Sequence, residues 1–362
     1  MKNNYLCKMI IKLTSDQTGR CLQRLHQYLD AHGPWEDAGL LDLAGIQTVD
    51  IRCNRPGMGS VLRRQLDWSM CSACAAPDST LLLWEDEDLP HFHQNILGLD
   101  LPLEDDYLML VTWDGQRMSS FGGFSAQDGF FSIWEGNRQY YCVQSLKPEE
   151  LLKIHLFAMN FSRLADTPAS TLIHGACVGV DGKGVLLCAR GGKGKSTLTV
   201  SSLFRGFEYV SDDYLIIRKE ADRLLASPIY SMTALSPQIY SRLYDDLGPS
   251  RFIGLNGRMN KYILDISGWR GQVRWNYPVK ACLFPVIADV QEPQIVSCTP
   301  QEKGRALTHI IHSTIEQMQE QGNTYAVRKL LGMLSGLDFY RIILSPDLFR
   351  NVECLRTFIK EL

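Results

Sequence analysis

The chain lacks several things that would define a class at once. Charged residues are only 21% of its 362 residues, yet apolar ones are plentiful enough to build large cores, so wholesale disorder is not expected. No stretch approaches the roughly 18 consecutive apolar residues of a membrane span. Near the start, Met9-Ile10-Ile11 is the only apolar run, too short for the core of a secretory signal. There is no internal repeat and no low-complexity tract. The 11 cysteines are an odd number spread along the chain, without the dense spacing of a disulfide scaffold, and read as reduced core residues. Together these absences predict a cytoplasmic protein without a membrane partner.

The charge that is present is unevenly placed. Residues 1–150 hold 12 Lys+Arg against 21 Asp+Glu, net −9; residues 151–362 hold 25 against 19, net +6. An acidic half and a basic half disfavour a nucleic-acid binder, which would carry a broad basic surface. Any bound anion belongs to the second half. The length predicts about two domains.

Local patterns fill in the outline. Thr14–Ala31 reads as a helix with Leu22, Leu25 and Leu29 on one face. Tyr107–Val111, Phe130–Trp134 and Gln139–Val143 read as an antiparallel meander, turning at Asp114-Gly115, Gly122-Gly123 and Gly136-Asn137. Pro148-Glu149-Glu150 opens a predicted helix running to about Leu164. Strands are expected at Ile173–Val180, Val185–Cys188, Phe207–Val210 and Tyr214–Ile217, and helices at Arg305–Gln319, Tyr325–Leu334 and from Leu348, with a strand at Phe339–Leu344 between them.

The sharpest signal is Ala189-Arg190-Gly191-Gly192-Lys193-Gly194-Lys195-Ser196-Thr197, between the strand ending at Cys188 and the helix-like Leu198–Phe204. Strand, glycine loop and helix together make a phosphate loop. Its backbone N–H groups turn inward onto phosphate oxygens, and the helix N-terminus adds partial positive charge. Gly191, Gly192, Lys193, Gly194, Lys195, Ser196 and Thr197 are therefore the candidate nucleotide-binding residues. Lys195 would reach the terminal phosphates, and Ser196 would give a hydroxyl to Mg²⁺. The first glycine of the usual pattern is Ala189 here, which takes positive φ less readily.

Phe207–Tyr214 follows, with Asp212 lying 17 residues after Lys195. One helix brings the chain back, so a strand parallel to and beside the first would end at the same sheet edge, carrying Asp212 and Asp213 to the phosphates. Two carboxylates there divide two jobs: one holds Mg²⁺ and one accepts a proton from an attacking hydroxyl. Spacing alone leaves open whether His174 reaches the same place. An ABC-type ATPase is excluded: Leu334-Ser335-Gly336-Leu337-Asp338 is a failed signature, and no apolar run ends in Asp-Glu.

From His174 to Ile217 the order His-Gly, Asp-Gly-Lys-Gly-Val-Leu-Leu, phosphate loop, Arg-Gly-Phe and Ser-Asp-Asp resembles the catalytic domain of HPr kinase/phosphorylase and its wider relatives. Those include kinases of lasso-peptide precursors. Weaker likeness runs on through Lys261–Leu264 and Val279–Pro285, covering about residues 147–362. The resemblance implies an α/β fold: a P-loop kinase domain of the HPr kinase and phosphoenolpyruvate carboxykinase type at 147–362, after a separate α+β domain at 1–146. It implies ATP and Mg²⁺, and transfer to a serine of a protein or peptide. It gives catalytic parts to Asp212, Asp213, His174 and Lys195, and metal contacts to Ser196 and Asp213. Thr197 stands where the family has Glu, and no stretch matches the family's arginine- and glycine-rich signature. Phosphorolysis is therefore not carried over, and the acceptor stays open. A nucleotide-binding regulatory module without transfer activity and a small-molecule kinase are the alternatives; homo-oligomerisation is open.

Secondary features receive plainer readings. Cys71 and Cys74 with His91 and His93 lack zinc-finger spacing. Glu85–Asp88 reads as a solvated acid run, and Trp113, Trp134 and Trp269 as core. Arg251, Arg258, Lys261 and Arg270 are further candidates for binding ATP or an anionic acceptor.

Overall fold

The computed structural model describes residues 9–72, 76–89, 91, 94, 98–99, 108–113, 118–125, 129–147, 155–189, 191–256, 260–318 and 324–362. It is a mixed α/β chain with large sheets, and it forms two compact units: Met1–Arg63 with Met70–Asn160, and Arg64–Ser69 with Phe161–Leu362. Among the described residues no helix is long and apolar enough to cross a membrane.

The first unit holds strands β1 (Met9–Thr14), β2 (Glu36–Asp42), β3 (Thr48–Cys53), β4 (Met70–Cys71), β5 (Ser79–Glu85), β6 (Leu108–Trp113), β7 (Met118–Ser125), β8 (Phe130–Glu135) and β9 (Arg138–Val143). They form one sheet in the order β1-β6-β7-β8-β9-β5-β3-β2-β4. Helix α1 (Ser15–Ala31) starts at a capping box, in which Thr14 and Gln17 exchange side-chain and backbone hydrogen bonds. Its buried face, Cys21, Leu25 and Leu29, packs in one core with Leu108, Leu110 and Ile133. A second helix, α2, spans Met58–Leu66.

The three expected strands of the meander correspond to β6, β8 and β9, with an unexpected strand, β7, between the first two; Tyr107 and the expected turn at Asp114-Gly115 lie outside the described residues, and Gly122-Gly123 needs correction. These two glycines lie inside β7, not at a turn. A Cβ on Gly122 would come within 2.5 Å of the Ser132 carbonyl oxygen, so close strand approach, not chain reversal, requires the glycine. The predicted helix from Pro148 also needs correction. Residues 148–154 lie outside the described ones, and Phe157 has φ 61, which no α-helix passes through. Helix α3 is confined to Ala158–Leu164.

The second unit holds β10 (Ser170–His174), β11 (Ala176–Val180), β12 (Lys183–Leu187), β13 (Glu208–Ser211), β14 (Tyr214–Glu220), β15 (Arg223–Pro228), β16 (Met232–Leu235), β17 (Arg251–Asn256), β18 (Lys261–Asp265), β19 (Tyr277–Ile287), β20 (Gln294–Ser297) and β21 (Asp338–Leu344). Its helices are α4 (Lys195–Phe204), α5 (Pro237–Arg242), α6 (Pro300–Met318), α7 (Thr324–Leu334) and α8 (Leu348–Glu361). The main sheet runs β10-β14-β15-β19-β12-β11-β13, with β21 on β19 and β20 on β21; β16-β18-β17 form a small separate sheet.

Alternation along β12 builds a core on each face of the main sheet. Val185 and Leu187 join Leu198, Leu203 and Val352 of α4 and α8. Leu186 joins Leu307, Ile310 and Leu334 of α6 and α7.

The main sheet is curled. Its first strand, β10, is joined to β11, next to last, by Gly175 alone, and its last strand, β13, is joined to β14 by Asp212-Asp213 alone. Consecutive Cα atoms are only ~3.8 Å apart, so links this short force the two ends of the sheet together. Gly175 donates its N–H to the Asp213 carbonyl at 2.9 Å, fastening one link to the other.

Candidate active site

The glycine loop leaves β12 where the sheet ends meet. Gly192 (φ 78) and Gly194 (φ 92) take left-handed conformations, which glycine adopts without steric cost. The atypical Ala189 is not among the positive-φ residues, so replacing glycine there strains nothing. Gly191, Gly192 and Lys193 are exposed, and a Cβ on Gly191 or Gly192 would meet open space. Helix α4 begins at Lys195, its N-cap Gly194 offering no side chain to the helix N–H groups. The loop therefore presents exposed backbone and a helix N-terminus to anything anionic. Arg190 lies outside the described residues.

Behind the loop, Lys195 is buried. Its Nζ donates to Asp213 Oδ1 at 2.6 Å and to Asp212 Oδ1 at 3.4 Å. Burial works against its charge, but the two carboxylates outweigh burial and hold the ammonium above the ordinary lysine range. Asp212 is almost sealed, at 2% exposure, and its Oδ2 accepts from the Thr233 hydroxyl at 2.8 Å. Asp213 is more open and has φ 74, a left-handed conformation that Asp adopts more readily than most residues.

His174, at the end of β10, lies with Nε2 3.4 Å from Asp213 Oδ1. Burial, then the Lys195 ammonium, pushes its pKa down against the opposing pull of the carboxylates, so the ring is neutral at neutral pH. Its Nδ1 is buried without a hydrogen-bond partner. Its backbone N–H bonds to Thr314 Oγ1 of α6 at 3.2 Å.

Lys195, Asp212, Asp213 and His174 thus form one cluster, while Ser196 and Thr197 follow on the first turn of α4. The route differs from expectation in one respect. β13 runs parallel to β12 but is not its neighbour, because β11 lies between them and pairs antiparallel with both. The shared edge survives because two antiparallel steps restore direction. Thr233 and Thr314 carry no signal in the sequence, since isolated threonines have no spacing pattern.

Arg270 is engaged with Asp67, donating to its carboxylate at 2.9 Å and to its carbonyl. Arg251 and Lys261 sit on β17 and β18 of the small sheet, and Arg258 lies outside the described residues. Cys71 donates to the Leu40 carbonyl and His91 pairs with Asp88; Cys74 and His93 lie outside the described residues. No group of three or more potential metal ligands among His, Cys, Asp and Glu occurs among the described residues. Trp134 is buried as expected, Trp269 is half-buried against Phe204, and Trp113 is 39% exposed. In the acid run, Asp86 accepts from the Tyr28 hydroxyl at 3.0 Å, and Glu85 pairs with Arg55.

An Mg²⁺ ion prefers hard oxygen donors and usually takes one or two carboxylates with substrate phosphates completing its shell. Of the two candidate metal contacts, Asp213 offers a carboxylate already beside the Lys195 cation, and Ser196 offers a hydroxyl on the first turn of α4; both are hard oxygen donors of the kind Mg²⁺ takes.

No protein-family model and no curated protein matches the chain. Among solved structures, the chain is similar to the Hpr(Ser) kinase/phosphatase from Coxiella burnetii, at 14% sequence identity and a TM-score of 0.29, over 53% of this chain and 97% of that one.

Proposed function

We propose that the chain is an ATP-dependent phosphotransferase that moves the γ-phosphoryl group of ATP to a serine hydroxyl of a protein or peptide. The observation that carries this reading is the Lys195 ammonium held between Asp212 and Asp213 directly behind an open glycine loop. A loop that only bound phosphate would need the lysine; it would not need two carboxylates and a neutral histidine within reach of it.

Phosphoryl transfer depends mainly on positioning and charge neutralisation. The backbone of residues 191–194 binds the phosphates. Lys195 exchanges its carboxylate partners for phosphate oxygens, which unseals Asp212 Oδ1. Asp212 then takes the proton from the incoming hydroxyl, whose oxygen bonds to the γ-phosphorus as the bond to the β-phosphate oxygen breaks, releasing ADP. Ser196 and Asp213 would hold Mg²⁺, which supplies neutralisation of phosphate charge when bound. His174, neutral, orients Asp213. Residues 1–146 are assigned to recognition of the acceptor, and their acidic balance suits a basic or neutral peptide.

The test is incubation of the full chain with γ-labelled ATP and Mg²⁺, with and without serine-bearing peptides or cell extract. Label on a serine is expected. Tight ATP binding with neither hydrolysis nor transfer would establish the nucleotide-binding module instead, and label on a metabolite the small-molecule kinase.

A further inference from the structure

A cavity of about 270 Å³ opens in the second unit on the side of α4 away from the carboxylates. We propose that it is the pocket for the purine base of the donor nucleotide, a proposal that rests on the phosphate-loop reading above.

The cavity shares a residue with the loop. Gly194, N-cap of α4, lines it, and a Cβ there would come within 2.8 Å of Leu344 Cδ1 on the opposite wall. Any ligand seated on the loop therefore has this cavity as its immediate neighbour. Along α4, Thr197, Leu198 and Ser201 line the cavity, while Lys195 does not and turns instead to Asp212 and Asp213. The first turn of the helix thus separates a transfer side from a cavity side. A nucleoside triphosphate has the same polarity: the terminal phosphate must meet the carboxylates, so the nucleoside must leave on the other side.

The position also follows from the sheet. Ile287 and Leu344 end β19 and β21, both parallel to the direction of β12, and ligands in such sheets bind beyond the carboxyl ends of the strands. The walls are mainly apolar, as a base requires on its two faces. At ~30 Å³ per water, the volume equals that of about nine waters, room for a bicyclic base.

Part of the lining is polar and reachable. Thr197 is half-buried and Arg242 is exposed. Gln238, which also lines the cavity, is exposed. Ser345 and Asn351, by contrast, satisfy each other at 2.8 and 2.9 Å and serve as wall. A purine edge with its ring nitrogens and exocyclic group offers what an apolar ligand would not.

The experiment compares Mg²⁺-ATP with Mg²⁺-tripolyphosphate, titrated calorimetrically into the full chain and into Ile239→Trp and Gln238→Ala. The wild type should bind ATP at least tenfold more tightly than tripolyphosphate. Ile239→Trp, which fills the cavity, should remove that advantage and leave tripolyphosphate affinity within about twofold. Gln238→Ala, an exposed change that leaves the fold alone, should cut ATP affinity alone, by about threefold. Equal affinities of the wild type for the two ligands, or an ATP advantage that survives both substitutions, would overturn the base pocket while leaving the phosphate loop in place. Failure of the wild type to bind tripolyphosphate at all would overturn the loop reading, and the pocket with it.

Discussion

Each unit contains a histidine facing a carboxylate beside a further titratable group. In the first unit, His26 Nε2 lies 2.8 Å from Glu135 Oε2, and the Tyr140 hydroxyl donates to the same oxygen at 2.6 Å. In the second, His174 faces Asp213, which is bonded to Lys195. Residue types alone do not separate the two. Setting does. His26 and Glu135 are about a third exposed, and each member has a satisfied partner. Burial resists the charge on Glu135, but hydrogen bonds from Tyr140 and His26 outweigh it and hold the carboxyl below its usual range. That cluster ties α1 to the β8–β9 hairpin. The second cluster is buried, includes a left-handed Asp213, keeps an unpartnered histidine nitrogen, and backs onto exposed glycine backbone. Poor local satisfaction beside a place for a ligand is what distinguishes a site from a fastening.

The comparison can be broken most forcefully at Lys195. Lys195→Met should lower transfer by ~10³-fold or more, since it removes the charge that meets the phosphates. It also leaves the sealed Asp212 carboxylate without its ammonium partner, and breaking such a buried pair costs about 3–5 kcal/mol, so a fall in thermal midpoint should accompany the kinetic loss. If Lys195→Met keeps both its activity and its stability, the buried pair has no such role.

Next in size is the matched histidine pair. His174→Gln should reduce transfer by ~10–100-fold, whereas His26→Ala should leave it within about twofold and cost only ~1 kcal/mol of stability in urea unfolding. Equal effects of the two on transfer would erase the distinction drawn between the clusters.

A pH series sharpens the same contrast. Because the His174 pKa is lowered in the fold from 6.5, the unfolded chain binds the extra proton first as pH falls. The neutral ring's contribution is therefore complete above about pH 6.5 and is lost as pH falls from there through the folded value. The thermal midpoint of the wild type should drop more steeply below pH 6.5 than that of His174→Gln; parallel curves would mean that His174 does not titrate in this way.

The smallest effects belong to the loop glycines. Gly194→Ala meets both φ 92 and Leu344, and should weaken nucleotide binding by about tenfold, from a left-handed penalty of roughly 1–2 kcal/mol. Ala189→Gly should change binding less than twofold and cost about 0.4–1 kcal/mol through the unfolded chain. A large gain in affinity on restoring that glycine would contradict the conformation found at Ala189.

Much of this arrangement was legible in the sequence, for reasons that differ by element. Period-two and helical patterns marked β8, β9, α1 and α4 because each has one face in a core. The loop and the Ser-Asp-Asp run were legible because their chemistry restricts both residue type and spacing. The insertion of β11 between β12 and β13 was not, since strand order is set by long-range pairing that leaves no local trace. For the same reason Ile173–Val180 read as one strand, although Gly175 divides it into β10 and β11 and helps to close the sheet. The β7 glycines misled because close approach and chain reversal select the same residue. Thr233 could be found only from the structure, where it supports Asp212 from a strand of the other sheet.

Under the proposed mechanism Asp212 serves transfer and not nucleotide binding. The most direct test measures ATP affinity and phosphoryl transfer in parallel for the wild type and Asp212→Asn, the asparagine keeping the shape and a partner for Thr233. The predicted result is transfer reduced by ~10²-fold or more with affinity within about threefold. Full transfer by Asp212→Asn, or loss of ATP binding that accounts for all of the lost transfer, would contradict it.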